Sequence, residues 1–119
     1  MFYLANCYFY LKDYDNALKY YEESGGGDDL LKASSIAGIG AVYEVKGQYK
    51  EAASYYEGAA GVVKDDLTSP GYLCGAARNY ALGGEKDKAV ALYEKVKKDF
   101  PKSDYARDID RYIAALKYS

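Results

Sequence analysis

The sequence predicts an all-α protein, an α-solenoid of three helix-turn-helix repeats followed by a C-terminal capping helix, with about seven helices in total. Three observations support this fold class. Alanines and tyrosines recur three times at matching positions, turn-forming residues fall between the recurring stretches, and 16 tyrosines supply rings for half-buried positions. A thin stack of helices offers more such positions than a thick globular core.

The repeat is visible as columns of equivalent residues. The clearest columns are Tyr8, Tyr43 and Tyr80; Ala17, Ala52 and Ala89; and Tyr21, Tyr56 and Tyr93. In each column the first two members lie 35 residues apart and the last two lie 37 apart. We predict that the alanines, with Ala5, Gly40 and Ala77, let the two helices of a repeat approach closely. The tyrosines then fill the gaps between helices and between repeats.

Turn and cap residues place the elements in order. We predict helices at about 1–11, 14–24, 30–46, 49–64, 70–82, 86–99 and 104–117. The predicted caps and intrarepeat turns are Asp13, Gly47, the Gly83-Gly84 pair, and the N-cap Ser69 followed by Pro70. Loops between repeats are expected at 25–27 and 65–68. The chain is therefore predicted to be one domain, 1–119, with repeats at about 1–29, 30–66 and 67–102 and the capping helix at 103–119.

The two ends of the predicted solenoid differ. The last helix has an apolar face and a charged remainder, as a capping helix should; that face holds Ala106, Ile109, Ile113 and Leu116. The first helix has no capping residue before it and carries the extra aromatic residues Phe2, Tyr3, Phe9 and Tyr10. We expect that the chain is a fragment whose preceding helix covers these rings, or that this edge forms a homodimer. Some of the rings would also line a groove.

Composition excludes several classes of partner. A net charge of −2, from 16 basic and 18 acidic side chains, argues against nucleic acid, because phosphate binding requires an excess of clustered Lys and Arg. The chain has no histidine, the residue most often used for proton transfer and metal binding near neutral pH. No run approaches the roughly 18 apolar residues that span a bilayer, so we expect no membrane contact by this segment itself.

The remaining reactive side chains predict structural roles. Cys7 and Cys74 lie on helices two repeats apart, so we expect two free thiols, and no histidine is present to activate either. The acidic pairs at 28–29 and 65–66 adjoin loops without the spacing of metal ligands, and we expect them to cap helices. The prediction is no enzyme, no catalytic residue, no metal and no cofactor. An enzyme would instead require a deep pocket with convergent titratable groups.

These residues resemble the tetratricopeptide repeat, a helix-turn-helix unit of about 34 residues. The second repeat matches its pattern with Ile36, Ile39, Gly40 and Tyr43, then Ala52 and Tyr56. The third matches with Leu73, Ala76, Ala77 and Tyr80, then Ala89, Tyr93 and Pro101. The tryptophan of the pattern is absent throughout, and its closing proline occurs only in the third repeat. The resemblance covers nearly the whole chain.

In this family the first helices of successive repeats line a concave groove, so the resemblance implies a scaffold whose partner is a protein or peptide. The predicted peptide-binding residues at matching positions are Asn6, Phe9, Tyr10, Glu44, Val45 and Arg78. The family also has a clamp of Lys, Asn and Arg that binds a chaperone's C-terminal carboxylate. Asn6 fits one clamp position, but the clamp is not matched, because the other positions hold Phe2, Gly38, Gly71 and Gly75. We expect an apolar or aromatic segment oriented by Asn6 and Arg78. The alternative is a structural or oligomerisation spacer with no specific groove ligand.

The closing stretch, 99–113, is similar to the ends of bacterial cell-envelope repeat proteins. Some of these proteins are anchored by one N-terminal span and assist the secretion translocon, and others are lipoproteins of outer-membrane assembly. The resemblance favours the periplasm or cell envelope over the cytoplasm, and it implies a membrane-anchored parent protein. This segment alone leaves the localisation unknown.

Overall fold

The computed structural model describes residues 2–118; Met1 and Ser119, the ends of the predicted first and last segments, lie outside the described residues. Residues 2–118 form seven α-helices, a single 3-10 turn and no β-strand. In chain order these elements are α1 (Phe2–Tyr10), α2 (Tyr14–Glu23), α3 (Asp29–Val45), α4 (Tyr49–Val62), α5 (Ser69–Leu82), α6 (Lys86–Asp99), the 3-10 turn Tyr105–Asp108, and α7 (Ile109–Lys117).

Each helix packs against the next one along the chain, and α1 also contacts α3. The described residues span 40 × 28 × 18 Å, which is the thin, elongated shape of a short stack of hairpins. This arrangement confirms the predicted all-α helical repeat. The first six predicted helices match the observed ones to within two residues at each end.

The capping segment differs from its prediction. One helix was expected over 104–117, but residues 105–108 form a 3-10 turn and α7 begins only at Ile109. The amide of Ala106 donates to both the backbone and the side-chain oxygen of Ser103, each at 3.2 Å. These bonds join residues three apart, which winds the chain more tightly than an α-helix does. Ile109 is fully buried and fixes the start of α7 on the core.

The predicted N-cap of α5 is also displaced. Thr68 is the N-cap, and Ser69 is the first helical residue and is buried. The turn before the helix is organised by Asp65, whose carboxylate accepts hydrogen bonds from the amides of Leu67 and Thr68 at 2.8 and 2.7 Å. The other caps are as predicted, since Asp13 accepts from the amide of Asn16 and Asp28 from that of Leu31.

Small residues allow the two helices of each hairpin to approach, as predicted. The alanines in these columns are fully buried: Ala5, Ala17, Ala52, Ala77 and Ala89. At Gly40 a Cβ atom would lie 3.2 Å from the carbonyl oxygen of Ala52, so the two backbones are nearly in contact there. Parallel tyrosine rings also stack within the first two repeats, Tyr8 on Tyr20 and Tyr43 on Tyr55, with centroids 5.4 and 5.3 Å apart.

Consecutive repeats are joined by a tyrosine ring seated on a glycine. A Cβ atom built on Gly38 of α3 would lie only 2.5 Å from the ring of Tyr21 on α2. One repeat later, a Cβ on Gly75 of α5 would lie 3.0 Å from the ring of Tyr56 on α4. The tyrosines therefore fill the gaps between repeats as predicted. The sequence analysis missed their glycine partners, which it treated only as groove positions.

The turns within repeats place one residue in the left-handed backbone region. Gly47 and Gly84 occupy it with φ of 79° and 85°, and Lys12 occupies the equivalent position of the first repeat with φ of 63°. A glycine adopts this conformation without steric cost, whereas a side chain crowds the following carbonyl. The first turn therefore carries strain that the other two lack.

We predict that Lys12→Gly stabilises the protein by about 0.5–1 kcal/mol, because the left-handed penalty that it removes exceeds the backbone entropy that a glycine adds to the unfolded chain. Gly47→Lys makes the opposite change at the equivalent position and should destabilise by about 1 kcal/mol. Urea unfolding followed by circular dichroism measures both. Changes of the same sign in the two variants would contradict the equivalence of these turns.

We predict that Gly38→Ala destabilises the protein by about 1–2 kcal/mol, because the buried ring of Tyr21 cannot move away from the new methyl group. Gly58→Ala is the matched control. Gly58 is also a helical glycine, but a Cβ atom built on it would meet no atom closer than 3.7 Å. Its better helix propensity should stabilise by about 0.5–1 kcal/mol. Equal effects of the two substitutions on the urea midpoint would refute the close packing of the Tyr21 ring on Gly38.

Candidate functional site

The first helices of neighbouring repeats present their side chains to a common surface, here called the first-helix face. Glu44 of α3 and Arg78 of α5 meet on it in a two-point ion pair. Arg78 Nε donates to Glu44 Oε2 and Arg78 Nη2 donates to Oε1, both at 3.0 Å. The sequence analysis placed both residues in the groove but did not predict that they pair. The pair ties the second repeat to the third.

Tyr56 contacts both members of this ion pair. Its hydroxyl donates to Glu44 Oε1 at 3.3 Å, and the Arg78 guanidinium lies over its ring, 5.9 Å from the centroid. The hydrogen bonds that Arg78 donates to Glu44 raise the pKa of Arg78, which keeps the guanidinium charged. Burial raises the pKa of Tyr56 to about 12; the charge of Glu44 adds to this rise and that of Arg78 opposes it. The three side chains form one positioned polar cluster.

Arg78 retains binding capacity although it is paired. Its side chain is 50% exposed, against 24% for Glu44. A guanidinium has five N–H donors, and the two bonds to Glu44 leave the others directed away from the pair. The net charge of the pair is close to zero, so it favours a neutral hydrogen-bond acceptor at least as much as an anion.

A cleft of about 370 Å³ opens beside Arg78 on the first-helix face. We call it the tyrosine cleft. Its lining combines three aromatic rings, two glycines and a few polar groups: Tyr56, Leu67, Thr68, Gly71, Tyr72, Gly75, Arg78 and Tyr105. The space beside each glycine is taken by a ring, Tyr56 beside Gly75 and Tyr105 beside Gly71. The hydroxyl of Tyr105, from the capping segment, lies against Gly71 and closes one end of the cleft.

The other predicted binding residues lie outside this cleft. Asn6 is half-buried, and its side-chain oxygen Oδ1 accepts a hydrogen bond from the Tyr21 hydroxyl. Phe9 is half-buried and packs edge-on against Tyr14, with centroids 5.7 Å apart. Tyr10 and Val45 are 83% and 51% exposed. Of the six predicted residues the structure brings together Glu44 and Arg78, and Arg78 alone lines the tyrosine cleft.

The sequence analysis assigned Tyr56 to packing only, and it placed four other residues of the cleft in no site, namely Leu67, Thr68, Tyr72 and Tyr105. Leu67 is 89% exposed. In the sequence it is visible only as one apolar residue after Asp65 and Asp66. Tyr105 reaches the cleft because the 3-10 turn carries it back to α5. That contact depends on the path of the chain after Phe100 and leaves no local signal.

The two cysteines and Asp65 were also considered as reactive groups. Cys7 is exposed and Cys74 is buried, and both thiols are free, as predicted. Hydrogen bonds from Thr68 lower the pKa of Asp65, in keeping with its role in the turn. Within residues 2–118, no group of three or more His, Cys, Asp or Glu side chains is placed to hold a metal ion. No helix in the same range is both long enough and apolar enough to cross a membrane.

Three family models, each described as tetratricopeptide repeat, match residues 1–24, 35–69 and 75–103. Each match corresponds to one observed hairpin, and together they cover most of the chain. The chain belongs to the tetratricopeptide repeat family. No curated protein sequence matches it. Its three tetratricopeptide repeats place Glu44 and Arg78 at equivalent faces of consecutive first helices, so the family's repeat geometry explains why these side chains meet.

We predict that the stability of this tetratricopeptide-repeat domain depends less steeply on pH in Tyr56→Phe than in the wild type between pH 10 and 12. Below pH 10 the folded and unfolded chains both keep the Tyr56 proton. Between the two values the unfolded chain releases it first, so the free energy of unfolding falls as pH rises. Urea unfolding at several pH values tests this, and slopes that coincide would refute it. The comparison uses slopes because the lost hydroxyl bond also lowers stability at neutral pH.

Proposed function

We propose that the chain is a non-enzymatic scaffold or adaptor that binds a polypeptide segment along the first-helix face. Tetratricopeptide repeats are typically interaction modules rather than enzymes, and the matches to the family support a scaffold. The observation that carries the specific proposal is the tyrosine cleft, an open aromatic site with a half-exposed arginine at its edge. Such a site can receive a side chain without any conformational change.

The chemistry of the cleft defines the segment it would accept. An apolar or aromatic side chain would contact the rings of Tyr56, Tyr72 and Tyr105. The free donors of Arg78 would bind a backbone carbonyl of the segment and set its direction. Asn6, Phe9 and Val45 would extend contacts toward the first repeat, and Tyr10 lies at the edge of this surface.

A carboxylate clamp of the chaperone-binding type is disfavoured by the same geometry. Such a clamp depends on several unpaired cations. Here Arg78 is neutralised by Glu44, and glycines stand at three of the other clamp positions. The proposed ligand is therefore an internal segment with an apolar or aromatic residue, and not a free C-terminus.

We also propose a bacterial cell-envelope context, in assembly or secretion, with a membrane-anchored parent protein. This proposal rests on the likeness of the stretch 99–113 to the ends of such proteins. The full-length parent sequence tests it, because a leader or membrane span upstream is expected and a cytoplasmic neighbouring domain would contradict it.

We predict that peptides selected from a random display library on the immobilised chain share an apolar or aromatic residue and bind in the tyrosine cleft. Tyr105→Ala should weaken the binding of a selected peptide by about 30-fold, since it removes one aromatic wall. Arg78→Gln should weaken it by about 10-fold through the lost charge-assisted bonds. Isothermal titration measures both effects.

Tyr118→Ala is the matched control, because Tyr118 is 87% exposed and lies outside the cleft. It should leave the affinity unchanged. Failure to enrich any sequence family would favour the alternative, a structural spacer with no specific ligand. Peptides that bind equally well to Tyr105→Ala and Arg78→Gln would show that another surface is used.

A further inference from the structure

The outer side of the first repeat carries an exposed apolar surface, here called the α1 stripe. It consists of Tyr3, Leu4, Cys7, Tyr10 and Leu11. Tyr3 and Tyr10 are 82% and 83% exposed, Leu11 is 75% exposed and Leu4 is 41% exposed. The amide of Leu11 still bonds to the carbonyl of Cys7, so the helical path continues through Leu11. The five residues fall within an arc of about 120°, centred on Cys7 and opposite the buried Ala5.

Part of the equivalent surface is an interface in the later repeats, although the positions of Tyr10 and Leu11 hold exposed residues there, Val45, Leu82 and Lys46. Cys7 corresponds to Val42 and Asn79, which are both fully buried, and Leu4 corresponds to Ile39 and Ala76, which are also buried. In those repeats the second helix of the preceding hairpin covers this side, α2 on α3 and α4 on α5. The fold thus uses the side of a first helix that holds Tyr3, Leu4 and Cys7 for packing, and on α1 these three residues are exposed.

The α1 stripe is not a copy of the junctions inside the solenoid. Tyr3 stands at the position where Gly38 and Gly75 receive a tyrosine ring. A helix bearing such a tyrosine would meet the ring of Tyr3 instead of a glycine. A different partner geometry is therefore needed to cover these five side chains.

The α1 stripe is complementary to itself. If two copies of α1 cross antiparallel at Cys7, then Tyr3 of each copy faces Leu11 of the other, and Leu4 faces Tyr10. Helix α1 and Leu11 contain no Asp, Glu, Lys or Arg, so no like charges would meet across the twofold axis. We propose that the α1 stripe of a second copy of this chain covers the first and forms a twofold homodimer.

The opposite end of the solenoid argues against head-to-tail assembly. The outer side of α7 exposes the charged residues Asp110, Arg111 and Lys117. Docking the uncharged α1 stripe there would remove these charges from water without partners on α1. An interface made from the same surface of both copies also closes at two subunits, whereas head-to-tail contacts continue into a filament.

The area of the α1 stripe is sufficient for a weak dimer. A tyrosine buries about 150–250 Å² when fully covered, so the five side chains together offer on the order of 600 Å² in each copy. The total of about 1,200 Å² lies at the lower limit of specific protein interfaces. We therefore expect a dissociation constant in the micromolar range.

Sedimentation velocity of the full chain across the micromolar range tests the dimer. The wild type should pass from monomer to dimer as concentration rises. Cys7→Glu places two carboxylates face to face at the centre of the interface and should raise the dissociation constant by about 100-fold or more. Ala114→Glu adds the same charge to an exposed position of α7 and should leave the dimer intact. Circular dichroism melting must show that both variants are folded.

Crosslinking of the wild type with a short bismaleimide locates the interface. Burial raises the pKa of the Cys74 thiol to about 11, so Cys7 is the thiol that reacts. A Cys7-to-Cys7 crosslink in the dimer, lost in Cys7→Ser, supports the proposal. A wild type that remains monomeric at high concentration overturns it. So do species larger than a dimer that Ala114→Glu abolishes, and a dimer that yields no crosslink.

Discussion

The seating of a tyrosine ring on a helix glycine between consecutive repeats is the contact on which the rest of this structure depends. A single hairpin of two short helices buries too little apolar surface to be stable, so each repeat needs its neighbour. Gly38 and Gly75 remove the side chain that would hold the next first helix away, and Tyr21 and Tyr56 fill the space. The same tyrosines send their hydroxyls to Asn6 and Glu44 on the first helix of their own repeat. One residue therefore ties three helices together.

The second of these junctions also builds the candidate site. Gly75 both seats Tyr56 and forms part of the floor of the tyrosine cleft. The Tyr56 hydroxyl supports Glu44, which in turn orients Arg78 from the next repeat. The polar cluster of the first-helix face is thus a product of the repeat junction, and a change at the junction would move the cleft as well. The repeat junction and the proposed binding site share the same few side chains.

The column that holds the two glycines shows how the ends of the stack differ from its interior. Its terminal members are Tyr3 and Tyr112. Tyr112 on α7 packs against Tyr93 on α6, with ring centroids 5.4 Å apart. In α7 a tyrosine ring therefore stands where the inner first helices have a glycine. At the other end Tyr3 is 82% exposed. A large residue at this position cannot accept a tyrosine ring as closely as Gly38 and Gly75 do.

The sequence by itself determined the repeat, the boundaries of the first six helices to within two residues and the small residues within each hairpin, because these follow from local spacing, capping and steric rules. Asp13, Asp28 and the left-handed Gly47 and Gly84 act within a few residues of their own position. Only the tertiary structure decided that Glu44 pairs with Arg78, that Tyr105 closes the cleft, and that Ser69 is buried instead of capping. These outcomes depend on the angle between successive hairpins and on side-chain directions across helices, which no local pattern records.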